Sequence, residues 1–129
     1  MEKIIHCTYT DDSQVTIQTT GINDILHTIH DQSGRYVTPA DMLVAALGAC
    51  TLTMIGAVAN KYKQKMDGLQ LSLQPVFAPD LSGLKSVAIQ ITFPPDIPAD
   101  LRKRLLEAAE KCPVHQSLHP NIEYTITAQ

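Results

Sequence analysis

The sequence has few aromatic residues and little positive charge. It contains no tryptophan, and aromatic residues make up 5% of its 129 positions. Thirteen acidic residues outnumber ten lysines and arginines, which gives a formal net charge of -3. This balance provides no long-range attraction to a phosphate backbone, so we expect no nucleic-acid partner. The sequence also lacks a Gly-rich phosphate loop and a dinucleotide fingerprint, so nothing in it indicates nucleotide chemistry.

Cysteine is also scarce, with three widely spaced residues at Cys7, Cys50 and Cys112. An odd number at such spacing is not typical of the disulfide framework of a small secreted domain. The opening Met1-Glu2-Lys3 leads into a strand-like run rather than a signal sequence, so we expect a cytoplasmic location. A hydrophobic fraction of 44% is typical of a globular protein, and the length predicts a single domain spanning residues 1–129.

The first third of the chain predicts a β meander. β-branched residues alternate with polar ones from Lys3 to Thr10 and from Gln14 to Thr19, and Asp11-Asp12-Ser13 between them has turn chemistry. A third strand is predicted from Asp24 to His30, and a polar loop follows over residues 31–36.

The strongest local signal marks the start of a helix. Thr38 suits the N-cap, Pro39 suits the first helical position, and Asp41 puts a carboxylate in the first turn. Residues 42–58 are almost all apolar or small, which predicts a helix buried on nearly every side. We expect Asp67-Gly68 to stop it.

This helix is apolar enough to suggest a membrane span. The run is slightly short for a span, contains Gly48 and Gly56, and has no second apolar segment beside it. We therefore expect a core helix and no membrane partner.

The remaining chain predicts two strands, a helix, a helical turn and a last strand. Alternating apolar residues occur at residues 69–73 and 87–93, and helical spacing runs from Ala99 to Lys111. A turn follows over residues 112–118, and a strand over residues 123–127. The sum is an α+β fold with antiparallel sheets packed around a long buried helix.

The three cysteines allow different interpretations. Cys50 lies within the apolar helix, where most cysteines are core residues. Cys112 precedes Pro113 at a helix end, where backbone N–H groups can make a thiol more acidic, so it is either functional or incidental. Cys7 falls in a strand with no acid, base or second cysteine nearby, which favours a core or edge position.

Two segments contain the later cysteines: the run from Thr38 to Cys50, TPADMLVAALGAC, and the run from Cys112 to Leu118, CPVHQSL. Together, and in this order, they resemble the two cysteine motifs of the OsmC/Ohr family. The resemblance extends to the meander, the long helix and the central strand pair. It implies an OsmC-like fold and an intertwined homodimer in which both subunits shape each active site.

The resemblance also implies a reaction. It makes Cys50 the peroxidatic thiol and Cys112 the resolving thiol of a thiol-dependent hydroperoxide reductase, acting on organic hydroperoxides in oxidative stress defence. An external dithiol would restore both cysteines. Two cysteines suffice for this chemistry, so we expect no cofactor and no metal.

The sequence departs from the family in its activating groups. Family peroxidases usually place a glutamate just after the helix-opening proline, where this chain has Ala40, and an arginine in the meander, where residues 1–34 have none. Arg35 and Asp41 are the candidate substitutes, and His27 or His30 can supply partial charge. A buried thiol needs such help to ionise.

Three alternatives stay open. The same fold can bind a small molecule or handle sulfur with little peroxidase activity, as the missing glutamate and arginine suggest. The protein can also be a structural homodimer with inert core cysteines. A metal site can be imagined from Cys112, His115 and His119, although Pro113 and Pro120 interrupt any common helical face.

Overall fold

The computed structural model describes residues 2–10, 13–30 and 33–129, which fall into two compact units, 1–43 and 44–129. The predicted turn residues Asp11 and Asp12, and Asp31 and Gln32 of the predicted loop, lie outside the described residues. The described residues form six strands and three helices in mixed order, which confirms the α+β class. The single domain stays a prediction.

The first unit contains the predicted meander. Its strands are β1 (Ile5–Thr10), β2 (Gln14–Thr19) and β3 (Ile25–Ile29), paired antiparallel in the order β1-β2-β3. Ser13, at the end of the predicted turn, has a positive φ of 64°. All six residues of the edge strand β1 are exposed.

The helix α1 (Pro39–Lys61) begins where the sequence predicts. The backbone N–H of Asp41 donates to the Thr38 hydroxyl at 3.1 Å, and the backbone N–H of Thr38 donates to Asp41 Oδ2 at 3.0 Å. This reciprocal pair satisfies two N–H groups that the first turn leaves without helical partners. The N-cap prediction for Thr38 is therefore confirmed.

The predicted end of this helix, at Asp67-Gly68, is wrong. The helix ends at Lys61, and Lys63 adopts a left-handed φ of 55°. The Gln64 N–H bonds to the Ala59 carbonyl and the Lys63 N–H to the Asn60 carbonyl, which is the hydrogen-bond pattern of a Schellman motif. Glycine usually takes the left-handed position, so a lysine there gives no warning in the sequence.

The expectation that α1 is buried on nearly every side also needs correction. Within the chain, fully buried positions form a stripe at helical spacing. Leu43, just before the first of these positions, and Ala45, Ala46 and Ala49, which lie between them, are exposed. The stripe consists of Val44, Leu47, Gly48, Thr51, Ile55 and Ala59.

The second unit contains a three-stranded sheet of β4 (Gln70–Phe77), β5 (Leu84–Thr92) and β6 (Glu123–Ala128), in that order. Strands β4 and β5 are antiparallel, with Leu71 opposite Ile91 and Leu73 opposite Ile89. Strand β6 is parallel to β5, which corrects the prediction of antiparallel sheets. The reason is the long helical connection between the two strands, since such a crossover brings a strand back in the same direction.

The helices α2 (Ala99–Ala109) and α3 (Pro113–Ser117) form that connection and agree with the prediction. Leu105 of α2, Ile55 of α1 and Ile91 of β5 are completely buried in one core cluster. Helix α1 packs closely on the sheet at Gly48, where a Cβ would stand 2.6 Å from Leu73 Cδ1. Helices and sheet thus share the core that positions both motif cysteines.

Candidate active site

Cys50 is held by α1 at the border of the core. Its side chain is half-buried and packs against the core cluster of the second unit. Leu47, three residues earlier, is buried, and Met54, four residues later, packs against the same core. Positions three and four apart are neighbours on a helix surface, so Cys50 has apolar side chains on both sides.

Cys112 is the N-cap of α3, and its side chain is completely buried, at 0% exposure. Pro113 follows at the first helical position, where its fixed φ favours the start of a helix. The Cys112 sulfur accepts a hydrogen bond from the backbone N–H of His115 at 3.4 Å. The local fold therefore fixes this thiol by its role as a cap.

The two thiols, which lie far apart in sequence, interact in the structure. Burial raises the pKa of the Cys112 thiol, and the neighbouring Cys50 thiol raises that pKa further. The backbone N–H groups of His115 and Val114 act in the opposite direction without reversing the shift. All three cysteines are free thiols. Cys50 and Cys112 thus form a reduced, interacting pair in which Cys112 is the more buried member.

Tyr124, which was predicted only as part of the last strand, lies near Cys112. Its ring contacts the His115 ring, with centroids 4.2 Å apart and planes at 52°. Burial raises the pKa of the Tyr124 hydroxyl, and negative charge on Cys112 adds to that effect. Strand alternation can place Tyr124 on the inward face with Ile126, but only the folded crossover brings that face to Cys112.

The other candidate residues lie in the first unit. Cys7 is exposed on the edge strand β1, in agreement with an edge position. Arg35 is exposed, and its backbone N–H donates to the Ser33 hydroxyl at 3.1 Å. The Asp41 carboxylate caps α1. His27 and His30 are exposed, and His27 Nδ1 lies 3.2 Å from Gln14 Nε2.

The imagined metal site has no support in the arrangement of its residues. Among residues 2–10, 13–30 and 33–129, no group of three or more His, Cys, Asp or Glu residues can hold a metal ion. The His115 ring packs on Tyr124, and His119 Nδ1 accepts the backbone N–H of Asn121 at 3.0 Å.

The difference in burial predicts an order of thiol labelling. Iodoacetamide reacts with thiolates, and a raised pKa leaves a smaller thiolate fraction at any given pH. In native protein at neutral pH, we expect Cys112 to be alkylated more slowly than Cys7 and Cys50, by a factor on the order of ten or more. The difference in alkylation rate between Cys112 and the other two cysteines should become smaller as the pH rises through the alkaline range, because Cys112 then ionises.

Peptide mass spectrometry of a labelling time course measures the three rates separately. Urea-unfolded protein is the control, in which the three thiols should react alike. Labelling of native Cys112 as fast as Cys7 at neutral pH would contradict the burial described here.

Comparison with known proteins places most of the chain in one family. The family model for OsmC-like protein matches residues 30–127, a range that includes both motif cysteines. No curated protein matches the chain.

Solved structures with the same fold cover nearly the whole chain. A Psychrobacter arcticus protein named for osmotic stress and a detoxification response is 26% identical, with a TM-score of 0.90, over 97% of this chain and 94% of that one. The organic hydroperoxide resistance protein OsmC of Legionella pneumophila is 18% identical, with a TM-score of 0.74, over 100% and 97%. An OsmC-like protein of unknown function from Vibrio cholerae is 15% identical, with a TM-score of 0.72, over 97% of each chain.

The family model spans well over half of the chain, and the solved structures with the same fold include OsmC proteins. The chain belongs to the OsmC-like protein family.

Proposed function

We propose that this protein is a thiol-dependent hydroperoxide reductase, with Cys50 as the peroxidatic thiol and Cys112 as the resolving thiol. The observation that carries the proposal is the interaction between these two reduced thiols. The name of the Legionella pneumophila relative, an organic hydroperoxide resistance protein, supports the same chemistry.

The proposed reaction has two oxidative steps. The Cys50 thiolate attacks the distal oxygen of the hydroperoxide, the O–O bond breaks, and the alkoxide leaves as the alcohol after taking a proton. Cys50 is then a sulfenic acid. The Cys112 thiol attacks its sulfur, a disulfide forms, and the hydroxyl group leaves with the thiol proton as water. A dithiol then reduces the disulfide and is itself oxidised.

Burial supports this division of roles. Cys50 is half-buried, so a substrate has access to it, whereas Cys112 is completely buried and its pKa is raised. A nucleophile for an external substrate needs access and thiolate character. A resolving thiol needs only to lie beside the sulfenic acid, where it reacts before further oxidation.

The apolar neighbours of Cys50 support an organic hydroperoxide as the substrate. Leu47 and Met54 lie one turn before and one turn after it on α1. Such side chains favour binding of the alkyl part of a hydroperoxide, at about 0.8 kcal/mol for each buried methylene. Hydrogen peroxide has no such part.

The proposed reaction predicts how reduced protein consumes peroxide under anaerobic conditions. One equivalent of cumene hydroperoxide should be consumed rapidly by the parent protein and by Cys7→Ser, the matched control. Cys50→Ser should abolish the reaction, and Cys112→Ser should still consume the first equivalent. In turnover with dithiothreitol, cumene hydroperoxide should have a kcat/KM about tenfold or more above that of hydrogen peroxide, since several buried carbon groups contribute.

Stopped-flow measurement of peroxide loss gives these rates. Equal kcat/KM values for the two peroxides would contradict the substrate class. Undiminished consumption by Cys50→Ser would contradict the assignment of the nucleophile.

The activating group is a further part of the proposal. Arg35 is the first arginine in the sequence and the only one before α1. We propose that it supplies the positive charge that the family usually takes from an earlier arginine, and that Asp41 supplies the carboxylate that the family takes from a glutamate at the position of Ala40. Because a nearby cation favours a thiolate, loss of that charge should slow the attack on peroxide.

We expect Arg35→Gln to slow the first peroxide equivalent about tenfold or more, and Arg104→Gln, the matched control, to leave it unchanged. Asp41→Asn and Thr38→Ala both weaken the cap of α1, but only Asp41→Asn also removes the carboxylate that could help to activate Cys50. Loss of the cap alone lowers the free energy of unfolding by about 1 kcal/mol in both variants without a specific effect on rate. A normal peroxide rate in Arg35→Gln would remove Arg35 from the site.

We further propose that the protein is a homodimer in the cytoplasm, where thiols stay reduced. In the described part of the first unit only Thr28 is fully buried, while Ile5, Tyr9 and Leu26 are more than half exposed. A three-stranded sheet needs a packed apolar face for stability. The exposed alanines of α1 offer a second apolar surface, and a second copy of the chain can cover both.

A membrane is the competing partner, because α1 is long and apolar enough to cross one. Sedimentation at micromolar concentration should give twice the 14.1 kDa chain mass. The protein should stay behind when lipid vesicles are floated on a density gradient. A monomer that floats with the vesicles would replace the dimer with membrane association.

The second candidate function is small-molecule binding or sulfur handling with little peroxidase activity. The observation that favours it is electrostatic: among the described residues, the groups that shift the pKa of Cys112 include no cation. Slow peroxide loss with both thiols intact would favour this function over the reductase.

A further inference from the structure

The Tyr124 hydroxyl is a buried polar group without a partner. Its oxygen is inaccessible to solvent and makes no hydrogen bond within the described residues. A buried hydroxyl that is left unpaired is destabilising, so its presence calls for an explanation. A phenylalanine of nearly the same shape would avoid the cost.

The surroundings of this hydroxyl connect it with Cys112. Both side chains belong to the same apolar cluster. His115 joins them, because its backbone N–H donates to the Cys112 sulfur at 3.4 Å while its ring packs on the Tyr124 ring at 4.2 Å. Negative charge on Cys112 also acts on the Tyr124 hydroxyl, so the two groups lie within electrostatic range.

The direction of disulfide reduction follows from burial, and this step rests on the proposed function. An external thiolate can reach the sulfur of the half-buried Cys50, whereas Cys112 is completely buried. Attack on Cys50 forms a mixed disulfide with the reductant, breaks the Cys50–Cys112 bond, and releases Cys112 with the electron pair as a thiolate. The second thiol of the dithiol then displaces Cys50, and the dithiol becomes a disulfide.

Cys112 is a poor leaving group without assistance. A thiol with a higher pKa leaves more slowly in thiol–disulfide exchange, and burial raises the pKa of Cys112. A neutral thiol is a weak hydrogen-bond acceptor, whereas a thiolate is a strong one. A hydrogen bond from the Tyr124 hydroxyl to Cys112 is therefore weak in the reduced protein and becomes strong only when Cys112 is an anion.

We propose that the Tyr124 hydroxyl stabilises the Cys112 thiolate by donating a hydrogen bond to it as the disulfide is reduced. Tyr124 thus assists the reductive half of the cycle and not the attack on peroxide. The role explains why an unpaired hydroxyl is retained beside the resolving thiol.

Reduction of a preformed disulfide tests this role without peroxide. In a Cys7→Ser background, diamide forms the Cys50–Cys112 bridge, and excess dithiothreitol reduces it while acid-quenched samples are followed by mass spectrometry. We expect Tyr124→Phe to slow this reduction about tenfold or more, since hydrogen bonds to charged groups are the strong ones. The matched control is Tyr62→Phe, which removes a hydroxyl that accepts a bond from Arg104 at 2.6 Å, and it should reduce at the parent rate.

Two further measurements separate this role from a structural one. Tyr124→Phe should unfold at the same temperature as the parent or a higher one, because it removes an unpaired buried hydroxyl. In Cys112→Ser protein carrying glutathione on Cys50, Cys112 is not the leaving group. There, Tyr124→Phe should not change the rate of reduction by dithiothreitol.

Each outcome decides the proposal. Reduction of the bridge within twofold of the parent rate would overturn it, and so would equal slowing in the glutathione-loaded Cys112→Ser protein. If the parent protein does not consume peroxide but dithiothreitol reduces the bridge more slowly in Tyr124→Phe, the role of Tyr124 is supported and the proposed peroxidase activity is rejected. Failure of diamide to form the bridge would overturn both.

Discussion

Burial of the Cys112 thiol is the constraint on which the rest of the site depends. Cys112 caps α3 and has no exposed surface, so its sulfur is held by the same core that joins α1, α2 and the β4-β5-β6 sheet. Its position beside Cys50 is therefore a property of the core and not of a surface loop. Groups held by packed helices and strands are positioned more accurately than groups on loops.

The same burial makes the two thiols unequal. Desolvation keeps Cys112 neutral and Cys50 is the thiol that solvent can reach, so one cysteine suits attack on an external substrate and the other suits its resolution. A neutral, buried thiol also slows reduction of the disulfide, because Cys112 must leave as an anion in that step. The unpaired Tyr124 hydroxyl lies where this effect can be offset.

Local features of the site were accessible from the sequence. The Thr38–Asp41 cap uses side chains whose chemistry is visible at fixed spacing, and the alternation of Leu71 and Leu73 was enough to identify β4. Both motif cysteines were identified by resemblance, since single residues in a helix and at a helix end carry no specific signal. Their interaction in the fold had to come from the structure.

The end of α1 and the features that depend on long-range packing were not accessible from the sequence. The helix stop was predicted at Asp67-Gly68, but α1 ends earlier because Lys63 takes a left-handed conformation for which lysine gives no signal. The parallel direction of β6 follows from the helical crossover between β5 and β6. The face of α1 that is exposed depends on which elements of the same chain pack against the helix. Tyr124 was missed for the same reason, since its relation to Cys112 exists only after β6 pairs with β5.

The central claim is that Cys50 and Cys112 act as one redox pair, and the departure at Ala40 makes this claim worth testing directly. The measurement is a peptide map of the disulfides formed when reduced protein receives one equivalent of an alkyl hydroperoxide without air. We expect one intramolecular Cys50–Cys112 bridge and a free Cys7. A map with both Cys50 and Cys112 still reduced, or with Cys7 in the bridge, would contradict it.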